Sequence, residues 1–270
     1  EVTYVGIESK DITEESRVID MNLNPNTVSR IHHSFPQLNG EGMTISIKEL
    51  MYDPHDIDLL NRHIPTSLGA SEESAHATDM ATIAAGAGNS FITGRGVAWG
   101  ARITSSDFSD LIPDQLSDYT SLDTWVQNHS YGTVIENFYG VFAEAFDQSA
   151  REAPSLLHVF SSGNLGTAAS TQGTYQSIQG FANITGNGKM SKNTLTIGSV
   201  DTTGSPIPFS SRGPAYDGRI KPELVAYSTQ GSSNSAALVS GIALLLQQAY
   251  KETEGTLPPS ALLKALLVNS

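Results

Sequence analysis

The sequence has no cysteine among its 270 residues. That excludes a disulfide framework, a thiolate metal site and a cysteine nucleophile. It does not fix a compartment, because many secreted bacterial proteins also lack cysteine. Positive charge is scarce: 15 Lys and Arg stand against 28 Asp and Glu, a formal charge of −13. A surface of that sign repels phosphates, so nucleic acid is excluded as a partner and the acidity reads as a solubility device. No stretch approaches the roughly 20 apolar residues that a membrane span requires. Internal repeats and low-complexity tracts are also missing.

What is present supports a sizeable core. Hydrophobic residues make up 39% and charged residues 16%, which fits one large folded domain rather than a disordered chain. Residues 1–30 are acidic, irregular and rich in Asn, and read as an N-terminal arm or linker before a domain over 31–270. The chain opens at Glu1 without Met or an apolar leader and stops at Ser270 straight after a helix-like run. The expectation is a removed signal or pro-segment and a natural protein that continues past Ser270.

Met43, Ile45 and Ile47 alternate with Thr44 and Ser46, the period of a strand. Residues 76–86 are small and suit a helix. Residues 96–101 form a turn, and a short strand follows over 102–106. Helical spacing recurs over 114–126 and 138–152, and strands over 156–160 and 195–200. Residues 235–250 are apolar on nearly every side, which predicts a buried helix. Pro258 and Pro259 open a last helix over 260–268. Strands that alternate with helices predict an α/β fold, a mostly parallel sheet with helices on both faces. Sites in such sheets gather at the carboxyl ends of the strands.

Three segments carry chemistry. GSSNSAALVSG at 231–241 puts serines at the start of an apolar helix. A serine there is an ordinary N-cap residue. It also stands at the positive end of the helix dipole, beside unpaired N–H groups that suit a developing oxyanion. HATDMATIAAG opens a small-residue helix with His76, one of seven histidines. HVFSSGNLG at 158–166 runs a strand into Ser-Ser-Gly-Asn, either a plain turn or a carboxamide aimed at a reaction centre.

Taken in order, the segments from Gly40 to Ser270 resemble the subtilisin-like serine peptidases, the subtilases. GEGMTISIKE at 40–49 is similar to the family's first core strand, which ends at the acidic member of its triad. HATDMATIAAG resembles the helix that opens with the family's histidine, and GVAWGARI at 96–103 the turn and strand after it. NHSYG at 128–132 looks like the edge strand that pairs with substrate, and SSGN at 161–164 like the oxyanion segment. PFSSRGP at 208–214 with DGRIKPELVA at 217–226 is the most specific match, and GSSNSAALVSG resembles the nucleophile segment. The resemblance implies a subtilisin-like three-layer fold and a peptidase with Ser233 as nucleophile, His76 as general base, Glu49 as orienting acid and Asn164 in the oxyanion hole. It implies an extended peptide substrate on Ser130, Tyr131 and Gly132, with Ser161, Ser162 and Gly163 as the opposite wall of the specificity pocket. It requires no cofactor and leaves room for a structural calcium ion, although Asp53, Asp56 and Asp58 do not have calcium-loop spacing. The family also implies a secreted, periplasmic or cell-surface location, and an additional C-terminal domain as what could follow Ser270.

The sequence departs from the family pattern at four places. Glu49 stands where the family has Asp, one C–C bond of about 1.5 Å longer, which leaves Asp53 and Asp56 as rival partners for His76. Ala77 replaces the usual Gly, and Ala237 and Leu238 replace Pro and His. Only Tyr227–Gln230 separate KPELVA from GSS, where the family has a longer stretch. These departures keep a second reading open, a weak or inactive subtilase-fold binding module. A sedolisin-like peptidase is disfavoured by His76 and Asn164, and an α/β-hydrolase by the missing G-x-S-x-G elbow.

Overall fold

A computed structural model describes residues 13–14 and 22–270. The rest of the segment expected to be an arm lies outside the described residues. In chain order the elements are β1 (Thr13–Glu14), α1 (Val28–Ser34), β2 (Thr44–Glu49), α2 (Ala75–Ala85), β3 (Arg102–Asp107), α3 (Leu116–Ser121), β4 (Val126–His129), β5 (Tyr131–Gly132), α4 (Val141–Glu152), β6 (Leu157–Ser161), β7 (Leu195–Val200), β8 (Leu224–Tyr227), α5 (Ser232–Glu254) and α6 (Ser260–Val268).

Six strands form one parallel sheet in the order β3-β2-β4-β6-β7-β8. The chain leaves β2 for β3 on one side, then crosses back to β4 on the other. This reversal opens a crevice between the carboxyl ends of β2 and β4. Strand alternation decides what faces it. Ile45 and Ile47 join Met80, Ala84, Val239 and Leu244 in the main core, on the face that α2 and α5 cover. Glu49 has the same parity, so β2 delivers its carboxylate to the α2 side. Ser46 and Lys48 point the other way, toward Gln127, Ser106 and Asp114. That opposite layer is aromatic and polar. His129 of β4 and His158 of β6 pack there among Phe146, Phe160 and Tyr131.

Three segments differ from the sequence reading. The helical spacing over 114–126 yields only α3, because Asp123 turns the chain with φ 49° and Val126 enters the sheet. NHSYG is not one edge strand: Asn128 and His129 belong to β4, which is interior between β2 and β6, and Ser130, Tyr131 and Gly132 lie outside the large sheet. Residues 22–30 are packed. Leu23 and Val28 belong to the main core, and His32 Nε2 donates to the Val97 carbonyl at 2.7 Å.

Candidate active site

The local sequence fixes each side chain before any pairing occurs. Met51, two residues past β2, bonds the segment that precedes α2: Met51 N donates to Glu72 O and Ser74 N to Met51 O, both at 2.8 Å. Ser74 then caps α2, and its Oγ accepts from His76 N at 3.1 Å and Ala77 N at 3.4 Å. These bonds hold the first turn of α2 against the end of β2. His76 Nδ1 lies 2.7 Å from Glu49 Oε2, with both side chains buried. A carboxylate only accepts, so Nδ1 carries the proton and Nε2 keeps its lone pair in the neutral ring.

The two rival acids are spent locally. Asp53 accepts from His55 N and Asp56 from Asp58 N, each at 2.8 Å. Asp58 accepts from Asn89 N, Ser90 N and Ser90 Oγ. Among the described residues no group of three or more His, Asp or Glu side chains converges to hold a metal ion.

Ser233 stands in the first turn of α5, where backbone N–H groups have no intrahelical acceptor. Gly231 supplies the entry at φ 139°, a conformation L side chains rarely adopt. Ser233 Oγ donates to Ser130 O at 3.0 Å, and Ser130 Oγ donates back to Ser233 O at 3.1 Å. Ser130 is itself held by Asn128 Nδ2 at 2.9 Å, and Asn128 Oδ1 accepts from Ser240 Oγ of α5 at 3.1 Å. The end of β4 and the head of α5 are thus one hydrogen-bonded unit.

Asn164 follows β6. Its Oδ1 accepts from Ser232 N at 3.0 Å, with Ser232 Oγ 3.2 Å away. Ser232 Oγ also bonds both the N–H (2.9 Å) and the carbonyl (3.1 Å) of Gly163. Gly163 has φ 105°, and a Cβ there would meet Thr185 Oγ1 at 2.3 Å. Ser161 and Ser162 are fully buried at the end of β6. Sequence reading missed Ser232. Its partners are 68 and 69 residues away in the chain, and only the serine pair at a helix start hinted at it.

The edge assigned to substrate has a partner already. Thr13 pairs with Gly132 and Glu14 with Tyr131 in antiparallel register. Tyr131 connects inward through a buried chain. Its OH lies 3.1 Å from His129 Nδ1, His129 Nε2 lies 3.0 Å from His158 Nδ1, and His158 Nε2 lies 3.1 Å from Ser149 Oγ. Burial pushes the pKa of His158 down to about 3, and that of His129 well below the ordinary range.

The Glu49–His76 pair stands at the carboxyl end of β2 and Ser233 at the head of α5, a layout that α/β serine hydrolases use. The family follows from the residues: the subtilase family profile matches residues 40–270, and the chain belongs to that family of serine peptidases. Solved structures agree in fold. The patellamide maturation protease PatA is 19% identical over 85% of this chain and 86% of its own, with a TM-score of 0.62. The prenylagaramide maturation protease PagA is 19% identical over 90% and 88%, at 0.66. The CspB protease of Clostridium perfringens is 12% identical over 86% and 88%, at 0.67.

Proposed function

We propose that this chain is a serine endopeptidase that cleaves peptide bonds through an acyl-enzyme. The observation that carries the reading is the buried 2.7 Å contact between His76 Nδ1 and Glu49 Oε2. It sets the tautomer in which Nε2 accepts a proton. Rotation about χ1 takes the Ser233 hydroxyl off Ser130 O and toward His76. Oγ then attacks the scissile carbonyl, and His76 takes the proton and passes it to the leaving amine. Asn164 Nδ2 and the Ser233 N–H receive the oxyanion. Water repeats the sequence on the acyl-enzyme and releases the acid product. The substrate adds a strand to Tyr131–Gly132, with main-chain hydrogen bonds giving affinity, and it must displace Thr13–Glu14 to do so.

None of the described helices is long and apolar enough to cross a membrane. A secreted, periplasmic or cell-surface location belongs to the same proposal, with proteins or peptides as partners. A second reading, an inactive binding module, draws support from two observations: the Ser233 hydroxyl is bonded to Ser130 O and the strand edge is occupied. Peptide hydrolysis that disappears in Ser233→Ala supports the enzyme. A folded wild type that binds peptide without cleaving it supports the module.

The oxyanion assignment makes a graded prediction. Asn164→Ala should lower kcat by about 10²–10³. Ser232→Ala keeps the N–H that bonds Asn164 Oδ1 and removes only the hydroxyl beside Asn164 and Gly163. One neutral hydrogen bond is worth about 1 kcal/mol, so kcat should fall by roughly fivefold with KM little changed. Equal losses in the two variants would mean that Ser232, not the Asn164 amide, supplies the stabilisation.

A further inference from the structure

The short connection Tyr227–Gln230 leads straight into the nucleophile helix, and its start is the last residue of β8. Among the described residues β8 is the outer strand of the sheet, and no described strand lies on the other side of its backbone. At Tyr227 that side is occupied by a side chain from 201 residues away. Tyr227 N donates to Asn26 Oδ1 at 2.8 Å, and Asn26 Nδ2 donates to Tyr227 O at 3.3 Å. One carboxamide satisfies both backbone groups, as a neighbouring strand would. Asn26 is itself anchored: Val28 N bonds Leu23 O at 3.1 Å and Thr27 N bonds Asn24 O at 2.9 Å, while Leu23 and Val28 sit in the main core. Asn22 and Leu23 then face Tyr227, Gln230 and Asn234 across a small cleft beside the nucleophile.

We infer that Asn26 is a positioning residue for Ser233, and that the segment around it braces the short connection before α5. The inference rests on the reading of Ser233 as nucleophile. The connection is held by Ser228 N, which donates to Val200 O, and by Gln230 N, which donates to Ser228 Oγ, each at 3.1 Å. The direction in which it enters Gly231 therefore depends on how firmly its first residues, Tyr227 and Ser228, are fixed. The Asn26 carboxamide fixes Tyr227 to the body of the protein at the point where the sheet ends.

The test compares Asn26→Ala and Asn26→Asp with wild type in the full chain. Asn26→Asp keeps an acceptor for Tyr227 N–H and places the other oxygen against Tyr227 O. Two readouts are needed: the rate of labelling by a fluorophosphonate probe, and amide hydrogen exchange at Tyr227 and Ser228. The expected result is labelling slowed about tenfold in Asn26→Ala, with kcat lowered, KM unchanged and the melting temperature within a few degrees. Tyr227 N–H should exchange at least tenfold faster in Asn26→Ala and remain protected in Asn26→Asp. Unchanged labelling and exchange in Asn26→Ala overturns the inference, as does a labelling loss that only tracks the unfolded fraction. Should folded wild type fail to label, the nucleophile reading fails instead, and exchange at Tyr227 still decides whether Asn26 holds the connection.

Discussion

Glu49→Gln should lower kcat by about 10⁴ while the protein stays folded. The carboxylate accepts a hydrogen bond from His76 Nδ1 at 2.7 Å. A carboxamide can turn its NH₂ toward the ring, which moves the proton to Nε2 and leaves no base for Ser233. It also removes the negative charge that stabilises the imidazolium, and the loss of both in a serine-peptidase triad is worth about 10⁴. Glu49→Asp should retain more activity, because the charge stays and only about 1.5 Å of reach is lost. Asp53→Asn and Asp56→Asn should change kcat little, since those carboxylates accept from their own turn amides. Steady-state kinetics on the four variants checks the set. Activity of Glu49→Gln within tenfold of wild type would remove Glu49 from the mechanism.

The second large effect is on stability in acid. His158 is fully buried, hydrogen-bonded to His129 and Ser149, and its pKa is held near 3 against an ordinary value of 6.5. Desolvation is the main cause, Asp114 opposes it, and Lys48 adds to it. His129 is lowered by burial first, then by His158, Lys48 and Lys189. Both rings are neutral bases in the fold and take a proton readily once unfolded. The stabilisation is therefore complete above pH 6.5 and is lost as pH falls toward 3. At about 1.4 kcal/mol per pH unit, the gap between 6.5 and about 3 comes to roughly 5 kcal/mol for His158. His129, held neutral by burial and by its charged neighbours, contributes in the same direction. Denaturant melts from pH 7.5 to 3.5 should show a steep fall below pH 6.5. His158→Asn keeps a neutral donor and acceptor and should flatten the curve, whatever it costs at neutral pH. An equally steep curve in the variant would assign the acid sensitivity to other groups.

The sequence displayed its local structure well and its long-range pairings poorly. Leu195–Val200 and the last helix are readable to the residue because their periods are uninterrupted. Period-2 alternation in β2 carries Glu49 to the same face as Ile45 and Ile47, so the carboxylate is legible from the strand alone. His76 and Ser233 are legible as residues that open helices. The partners that hold them are less so. Ser232 with Asn164, Asn128 with Ser240, and Asn26 with Tyr227 join residues 68, 112 and 201 positions apart. No spacing rule links such polar residues, since each obeys only the geometry of the finished fold. Lys48 shows the same limit. On a strand it reads as a solvated charge, yet it is fully buried and paired with Asp114 at 2.6 Å, because both faces of this sheet are covered. The segment before Gly40 misled in the opposite sense. Its acidity and Asn content suggest an arm up to residue 30, but the apolar residues Leu23 and Val28 fasten it into the core.

The most direct measurement is the mass of the protein after exposure to a fluorophosphonate at neutral pH, with the adduct located by peptide mapping, in wild type and Ser233→Ala. The account predicts one adduct, on Ser233, in the wild type and none in Ser233→Ala. A folded wild type that carries no adduct, or one that carries it on another residue, would contradict it.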